Sequence, residues 1–353
     1  MINNIIIGAG FSAGIVKGLF NKKIKIIGCL DHSFLSKFYL RRKLLECNKL
    51  FALKSYSYGT IKFNIKKIKL HDRLIVNGNS DVWGGHINLK SVSDNILKLF
   101  NKYKISAETL CYNKTGTISN NNDILQLQSK NGKIVKAKQF FSKVYNGYLD
   151  RFIVENNEIF IFIKKNNSFY KIKVKNLFLC IGTVQLIDLL YRSKYIFDND
   201  TIKLSEFYCK YKYSFSRSIK KTKNTIIKYR FSRAIGHFLG TSSFTKFLKI
   251  LNFMPVYIEQ IFYKKKINIA VKINNGIIKN KYSKKKIDFI FGNSIHYSNM
   301  SINDININKF LSKISNRIIG VGMPFVNQKI PGPIINEIIN DTEKKIKNMT
   351  ARF

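Results

Sequence analysis

Acidic residues are scarce in this chain. Its 20 aspartates and glutamates stand against 62 lysines and arginines, a formal net charge of +42 over 353 residues. A surface of that sign attracts anionic ligands. The lysines are spread along the whole chain, and lysine, asparagine and isoleucine are common throughout. That spread reads as compositional drift, whereas a nucleic-acid binder would cluster its cations among exposed aromatics. No nucleic-acid partner is therefore expected, although the charge could bring the protein against an anionic membrane surface. Cysteine is sparse too: Cys29, Cys47, Cys111, Cys180 and Cys209 form no C-x-x-C pair. This argues against a zinc site or a disulfide scaffold, so no metal is expected, and it fits a reducing cytoplasm. No apolar run reaches the roughly 18 residues of a membrane helix. The apolar, aromatic stretch over residues 248–262 is interrupted by Pro255 and Glu259, and fits a core element better than a membrane contact. No signal peptide precedes the first strand, so a cytoplasmic location is expected. There is no internal repeat.

What is present begins at once. Ile5, Ile6 and Ile7 form a short apolar run suited to a buried parallel strand. Gly8-Ala9-Gly10-Phe11-Ser12-Ala13 follows and fits G-x-G-x-x-G/A. The first glycine allows the tight turn, the second lets backbone approach a pyrophosphate, and small Ala13 lets a helix pack on the strand. A helix over about residues 12–20 would aim its amides and dipole at that phosphate. A second strand is expected over residues 22–27. A ribose-binding carboxylate is expected about 20 residues past the glycines; Asp31 stands there, although the strand's end falls nearer Gly28. An ordinary glycine-rich turn and a plain loop aspartate are the alternatives.

Further on, residues 77–86 form a polar, glycine-rich loop that holds the single tryptophan, Trp83. A helix is expected over 92–103. Strands are expected over 124–127, 133–137, 151–155, 159–164 and 169–174, with asparagine pairs at 156–157 and 166–167 marking turns. Residues 176–180 form another short strand, entering Ile181-Gly182-Thr183 and a helix over 184–192. This second strand–glycine–helix junction again implies close backbone approach. Strand-like stretches over 210–215, 225–231 and 267–273, with a helical stretch over 243–251, suggest the antiparallel sheet of a second domain. A strand, loop and helix cover 317–347. The expected fold class is α/β (α+β overall), a Rossmann-like domain carrying an inserted antiparallel-sheet domain.

Taken in order, these motifs resemble the glucose-methanol-choline family of FAD-dependent oxidoreductases, in its shorter bacterial form. The resemblance rests on Gly8-x-Gly10-x-x-Ala13, then Asn79-Ser80-x-x-Trp83-Gly84-Gly85, then Leu179 to Leu186 around Gly182-Thr183. A late His296, Gly322-Met323-Pro324 and Pro331-Gly332-Pro333 complete it. The resemblance implies an FAD domain of residues 1–192 and 291–353, with a substrate domain of 193–290 inserted. Gly8, Gly10, Phe11, Ser12 and Ala13 would hold the pyrophosphate and Asp31 the ribose. Asn79, Ser80, Trp83 and Gly84 would lie along the flavin side. Gly182 and Thr183 would pass close to the cofactor, and the segment from Gly322 and Pro324 to Asn336 would return near the ring. His296 would be the base that takes a hydroxyl proton from a small polar substrate, such as a sugar or sugar-linked intermediate, while hydride moves to flavin. The electron acceptor is unspecified. A hydrogen-bonded loop histidine is the alternative reading of His296, and His86 is a second candidate base. The family places a second His or Asn before its late proline; here Gly332 stands there, and Asn327 or Asn336 could supply a polar group instead. A related flavoprotein with non-redox, mutase-like or degenerate activity is the alternative function.

Overall fold

The structure is a computed structural model, and it describes residues 2–20, 23–28, 62–63, 85–109, 117–131, 135–165, 168–230, 257–274, 277–280, 298–332 and 334–351. In chain order, β1 (Ile2–Ile7), α1 (Phe11–Leu19) and β2 (Lys25–Gly28) come first. Next are β3 (Lys62–Phe63), β4 (His86–Asn88), α2 (Asp94–Lys102), β5 (Ile105–Thr109), β6 (Thr117–Ser119) and β7 (Ile124–Ser129). Short β8 (Tyr145–Asn146) precedes a meander of β9 (Tyr148–Glu155), β10 (Glu158–Lys165) and β11 (Ser168–Leu179), and α3 (Thr183–Arg192) follows. The long strands β12 (Thr201–Ser214), β13 (Thr225–Arg230) and β14 (Tyr257–Asn274) lead to β15 (Ile277–Asn280). The chain closes with β16 (Ser298–Ile302), β17 (Ile305–Asn306), α4 (Ile307–Ile314), β18 (Ile318–Gly320) and α5 (Ile335–Thr350).

Three sheets result. In the seven-stranded sheet, β8, β2, β1, β11 and β18 run parallel, and β9 and β10 add an antiparallel wing. β11 joins the two parts. Its first half pairs β10, and its second half lies between β1 and β18. The sequence reading had two strands here, 169–174 and 176–180. They are one because Asn176 does not break the ladder: it lies opposite Asn4 and donates a 2.8 Å hydrogen bond to the Asn4 side chain. That bond satisfies a buried polar group in mid-sheet. Of the expected strand over 133–137, residues 133 and 134 lie outside the described residues, and 135 and 136 are in no strand; residues 137–140 make a 3₁₀ turn that buries Ala137 and Phe140.

The parallel strands are apolar on both faces, as strands covered by helices must be. Ile5 and Ile7 pack with Leu186, Leu189 and Leu190 of α3. Ile6, pointing the other way, packs with Ala13 and Val16 of α1. The two helices therefore cover opposite faces. From β1 the chain moves to β2 on one side; from β11 it moves to β18 on the other. The β1/β11 boundary is thus the switch point of the sheet, where α/β folds open a crevice at the carboxyl ends of their strands.

The eight-stranded sheet is mainly antiparallel and built on the β12–β14 pairing. It takes in β3, β6, β16 and β17, so it draws on residues to either side of the 193–290 segment. It shares one core with the first sheet, because Ile202, Leu204, Val271, Met300 and Ile302 cluster with Ile5, Leu177 and Leu179. The small sheet β4-β7-β5 packs Ile87, Leu127 and Ile105 against α1 and α5.

Candidate functional site

The carboxyl ends of β1, β2, β11 and β18 meet with almost no side chain between them. Gly8 ends β1 with φ +98°, and its N–H donates to the Ile27 carbonyl at 2.9 Å. A Cβ placed on Gly8 would lie 2.2 Å from the Cys180 carbonyl oxygen, so only glycine fits. The Cys180 N–H in turn bonds the Ile7 carbonyl at 2.8 Å, and the Val321 N–H bonds the Leu179 carbonyl at 2.9 Å. The two strand–glycine–helix junctions thus touch directly, and the C-terminal segment lies against them. A Cβ on Gly322 would sit 3.0 Å from Ser12 Oγ.

From this edge two helices start. Gly10 is the N-cap of α1 and Gly182 that of α3. Neither helix has a side-chain cap or an acidic residue in its first turn. The dipoles and first-turn amides are therefore presented without a protein carboxylate to neutralise them, which suits an anion. Phe11 is buried against Phe140, its ring at 5.5 Å and perpendicular. Ala13 is fully buried, the small residue that lets α1 lie close to the sheet. Thr183 is buried in the first turn of α3, and Pro324 is buried in the 3₁₀ turn 323–325 after Gly322. The structure brings together Gly8, Ser12, Gly322 and the Cys180–Gly182 turn. Asp31, Asn79, Ser80, Trp83, Gly84 and His296 lie outside the described residues. The end of β2 is Gly28, packed on Ala9, so the usual strand-end carboxylate position is filled by glycine.

Two candidate polar groups have other work. The Asn336 side chain is held by residues 88 and 91. Its Oδ1 accepts from the Asn88 N–H at 2.9 Å, and its Nδ2 donates to the Asn88 carbonyl at 2.6 Å and to Ser91 Oγ at 2.8 Å. Glu343, two turns on, accepts from Ser93 Oγ at 2.6 Å and Asn95 Nδ2 at 3.1 Å. Burial raises the Glu343 carboxyl, but these bonds and Lys347 outweigh it and hold the group below its ordinary value. Together they clamp α5 to residues 88–95. Asn327 accepts from Lys266 Nζ at 3.1 Å, tying the C-terminal loop to β14. His86 is buried in β4 opposite Gln126.

The loop before α5 is also organised by its own residues. Buried Gln328 donates to the carbonyls of Ile330 and Gly332, at 3.0 and 2.8 Å. Glu337 accepts from the backbone of Lys329 and Ile330; burial nonetheless raises its carboxyl above the ordinary value, with those bonds and Lys266 pulling it down. Gly332 has φ +142°, and its missing Cβ would face Thr225 of β13 at 3.9 Å. Space for a side chain exists there, but the backbone conformation suits glycine. Among the described residues no cluster of His, Cys, Asp and Glu could hold a metal ion, and no helix is long and apolar enough to cross a membrane.

No protein-family model matches the chain, and no curated protein matches its sequence. Its fold is similar to that of pyridoxine 4-oxidase from Mesorbium loti, with a TM-score of 0.53, 8% identity and 99% of each chain covered. A flavoprotein/dehydrogenase from Cytophaga hutchinsonii superposes at a TM-score of 0.32 and 10% identity, over 78% of this chain and 70% of that one. A triple mutant of the flavin-dependent brominase Bmp2 gives 0.36 and 10%, over 99% and 79%. The likeness to pyridoxine 4-oxidase shows a shared mixed α/β fold, in an alignment that covers 99% of each chain.

Proposed function

We propose that the protein is an FAD-dependent oxidoreductase of the glucose-methanol-choline type that oxidises a hydroxyl of a small polar substrate. The observation that carries this reading is the meeting of Gly8, Cys180 and Gly322 beside two helix N-termini that no side chain caps. These residues fit a dinucleotide. Gly8 and Gly10 would let backbone approach a pyrophosphate, and the amides of Phe11, Ser12 and Ala13 would hold its charge. Asn79, Ser80, Trp83 and Gly84 would line the flavin side, Gly182 and Thr183 would pass close to the cofactor, and Asp31 would take the ribose. Flavin, when bound, supplies the hydride acceptor. The chain's own part is to orient the substrate and move a proton: His296 would accept the proton of the substrate hydroxyl. A sugar or sugar-linked alcohol is the substrate class proposed, in a cytoplasmic setting.

One observation favours a second reading. Gly332 occupies the place of the family's second His or Asn in a conformation suited to glycine, so positioning of an alcohol is weakened and a non-redox or degenerate flavoprotein becomes the competitor. The experiment that separates them has two stages. First, the absorbance spectrum of the purified protein, with and without added FAD, should show bound flavin; a colourless protein that takes up none would overturn the whole reading. Second, alcohols and sugars are tested for anaerobic flavin reduction by the wild type and by His296→Ala. A loss of about 10²- to 10⁴-fold is expected on removing the base. Bound flavin that no alcohol reduces would favour the second reading.

A further inference from the structure

The hairpin of β10 and β11 runs out beyond the core. Nearer the core, Ile161, Ile163 and Val174 are buried. At the far end Lys164, Lys165, Phe169, Tyr170 and Lys171 are all exposed, with Phe169 at 57% and Tyr170 at 51%. In the register, Phe169 lies opposite Lys164 and Tyr170 opposite Ile163. Successive strand residues point to opposite faces, so the two rings stand on the two sides of the same ribbon. No acidic residue occurs from Ile159 to Ile187, while Lys164, Lys165, Lys171, Lys173 and Lys175 do. Glu158 pairs with Lys173 nearer the other end of β10. The hairpin end is thus aromatic on both faces, and its own residues supply cations and no carboxylate.

We propose that this end of the hairpin docks on an anionic phospholipid surface. A ribbon with one aromatic ring on each face is suited to a medium that surrounds it, rather than to a partner lying on one side. Aromatic side chains favour the headgroup boundary, and lysine stems can lie along apolar surface while their ammonium groups reach lipid phosphates. Single-stranded nucleic acid is the other polyanion with which such residues could pair, but base stacking needs open ring faces. On this hairpin the inner rings are already covered. Lys171 Nζ lies 4.4 Å from the Phe160 centroid and 5.8 Å from that of Phe162, and the Arg151 guanidinium is 4.5 Å from Phe162. Both occupants are anionic; the covered ring faces commit the surface to lipid.

The test is co-sedimentation of the full chain with vesicles of phosphatidylcholine, alone or with about a quarter phosphatidylserine. Binding is expected only with phosphatidylserine and should fall as salt rises. The double variant Phe169→Ser/Tyr170→Ser should bind at least about tenfold more weakly, and Lys164→Glu/Lys165→Glu should lose about fivefold or more per lysine. Phe215→Ser removes a ring that is 74% exposed in the β12–β13 connection and serves as the control, expected to bind like the wild type. Unchanged thermal unfolding of each variant shows that the fold is intact. Equal sedimentation of wild type and both hairpin variants would overturn the proposal, as would binding to phosphatidylcholine alone. Retention on a single-stranded oligonucleotide that the hairpin variants lose, without vesicle binding, would overturn it in favour of nucleic acid.

Discussion

At the carboxyl edge of the seven-stranded sheet, backbone meets backbone; in the eight-stranded sheet, a buried charge joins the strands. Gly8 has no room for a single carbon against Cys180. Lys228 of β13 is fully buried, lies directly opposite Glu259 of β14 and is 3.0 Å from its carboxylate. Its ammonium also donates to Ser214 Oγ and to the Ser218 carbonyl, both at 2.9 Å, and sits 5.0 Å from the Tyr257 ring centroid. The first region owes its shape to what is missing from its side chains, the second to partners far apart in sequence. A region built on close backbone approach tolerates no addition, whereas a region built on a buried ion pair tolerates replacement of the pair better than loss of one member.

The sharpest way to break this comparison is at Gly8. Gly8→Val puts a β-branched side chain at a positive φ and into a backbone carbonyl, and should cost upward of about 4 kcal/mol and abolish FAD uptake. Chemical denaturation and a flavin titration check it; a variant that folds and binds like the wild type would show that the edge can relax. In the second sheet, Lys228→Ala should cost about 3 to 5 kcal/mol, since it strands the Glu259 carboxylate and leaves Ser214 and Ser218 short of a donor. The double replacement Lys228→Met/Glu259→Leu should come closer to the wild type than Lys228→Ala does. Denaturant midpoints of the two variants decide the matter, and the reverse order would mean that the ion pair itself supplies the stability.

The smallest expected effect lies at the joint between the two regions, at Glu337. Burial raises its carboxyl above the ordinary value of 4.5. The native state therefore holds a proton there that the unfolded chain has released, and stability from this group falls as pH rises from 4.5 through the folded value. Glu337→Gln, which keeps an acceptor for the Lys329 and Ile330 amides, should remove that fall. Relative to the wild type, the variant should gain stability as pH rises above 4.5, read from denaturant midpoints. Parallel pH profiles for the two proteins would exclude a role for this carboxyl in the joint.

Much of the cofactor-side fold could be read from local pattern. A triplet of isoleucines, a glycine turn and a small residue at Ala13 specify strand, turn and close-packed helix within a dozen residues, and the same logic marks Gly182. These features are legible because one short stretch of backbone enforces them. The bipartite clamp of Asn336 on Asn88 was not legible, because its partners are 248 residues apart and asparagine is common throughout the chain. Nor was β16, a strand of the second sheet lying just after the candidate base His296, because its alternation becomes meaningful only beside β12.

Composition and short motifs were enough for a basic chain with two strand–glycine–helix junctions and an α/β fold class, since steric limits on backbone act over a few residues. The union of 168–179 into one strand, the burial of Lys228 and the convergence of Gly8, Cys180 and Gly322 came only with the folded chain. Hydrogen bonding and desolvation depend on which distant groups arrive together, and no local window of sequence carries that information.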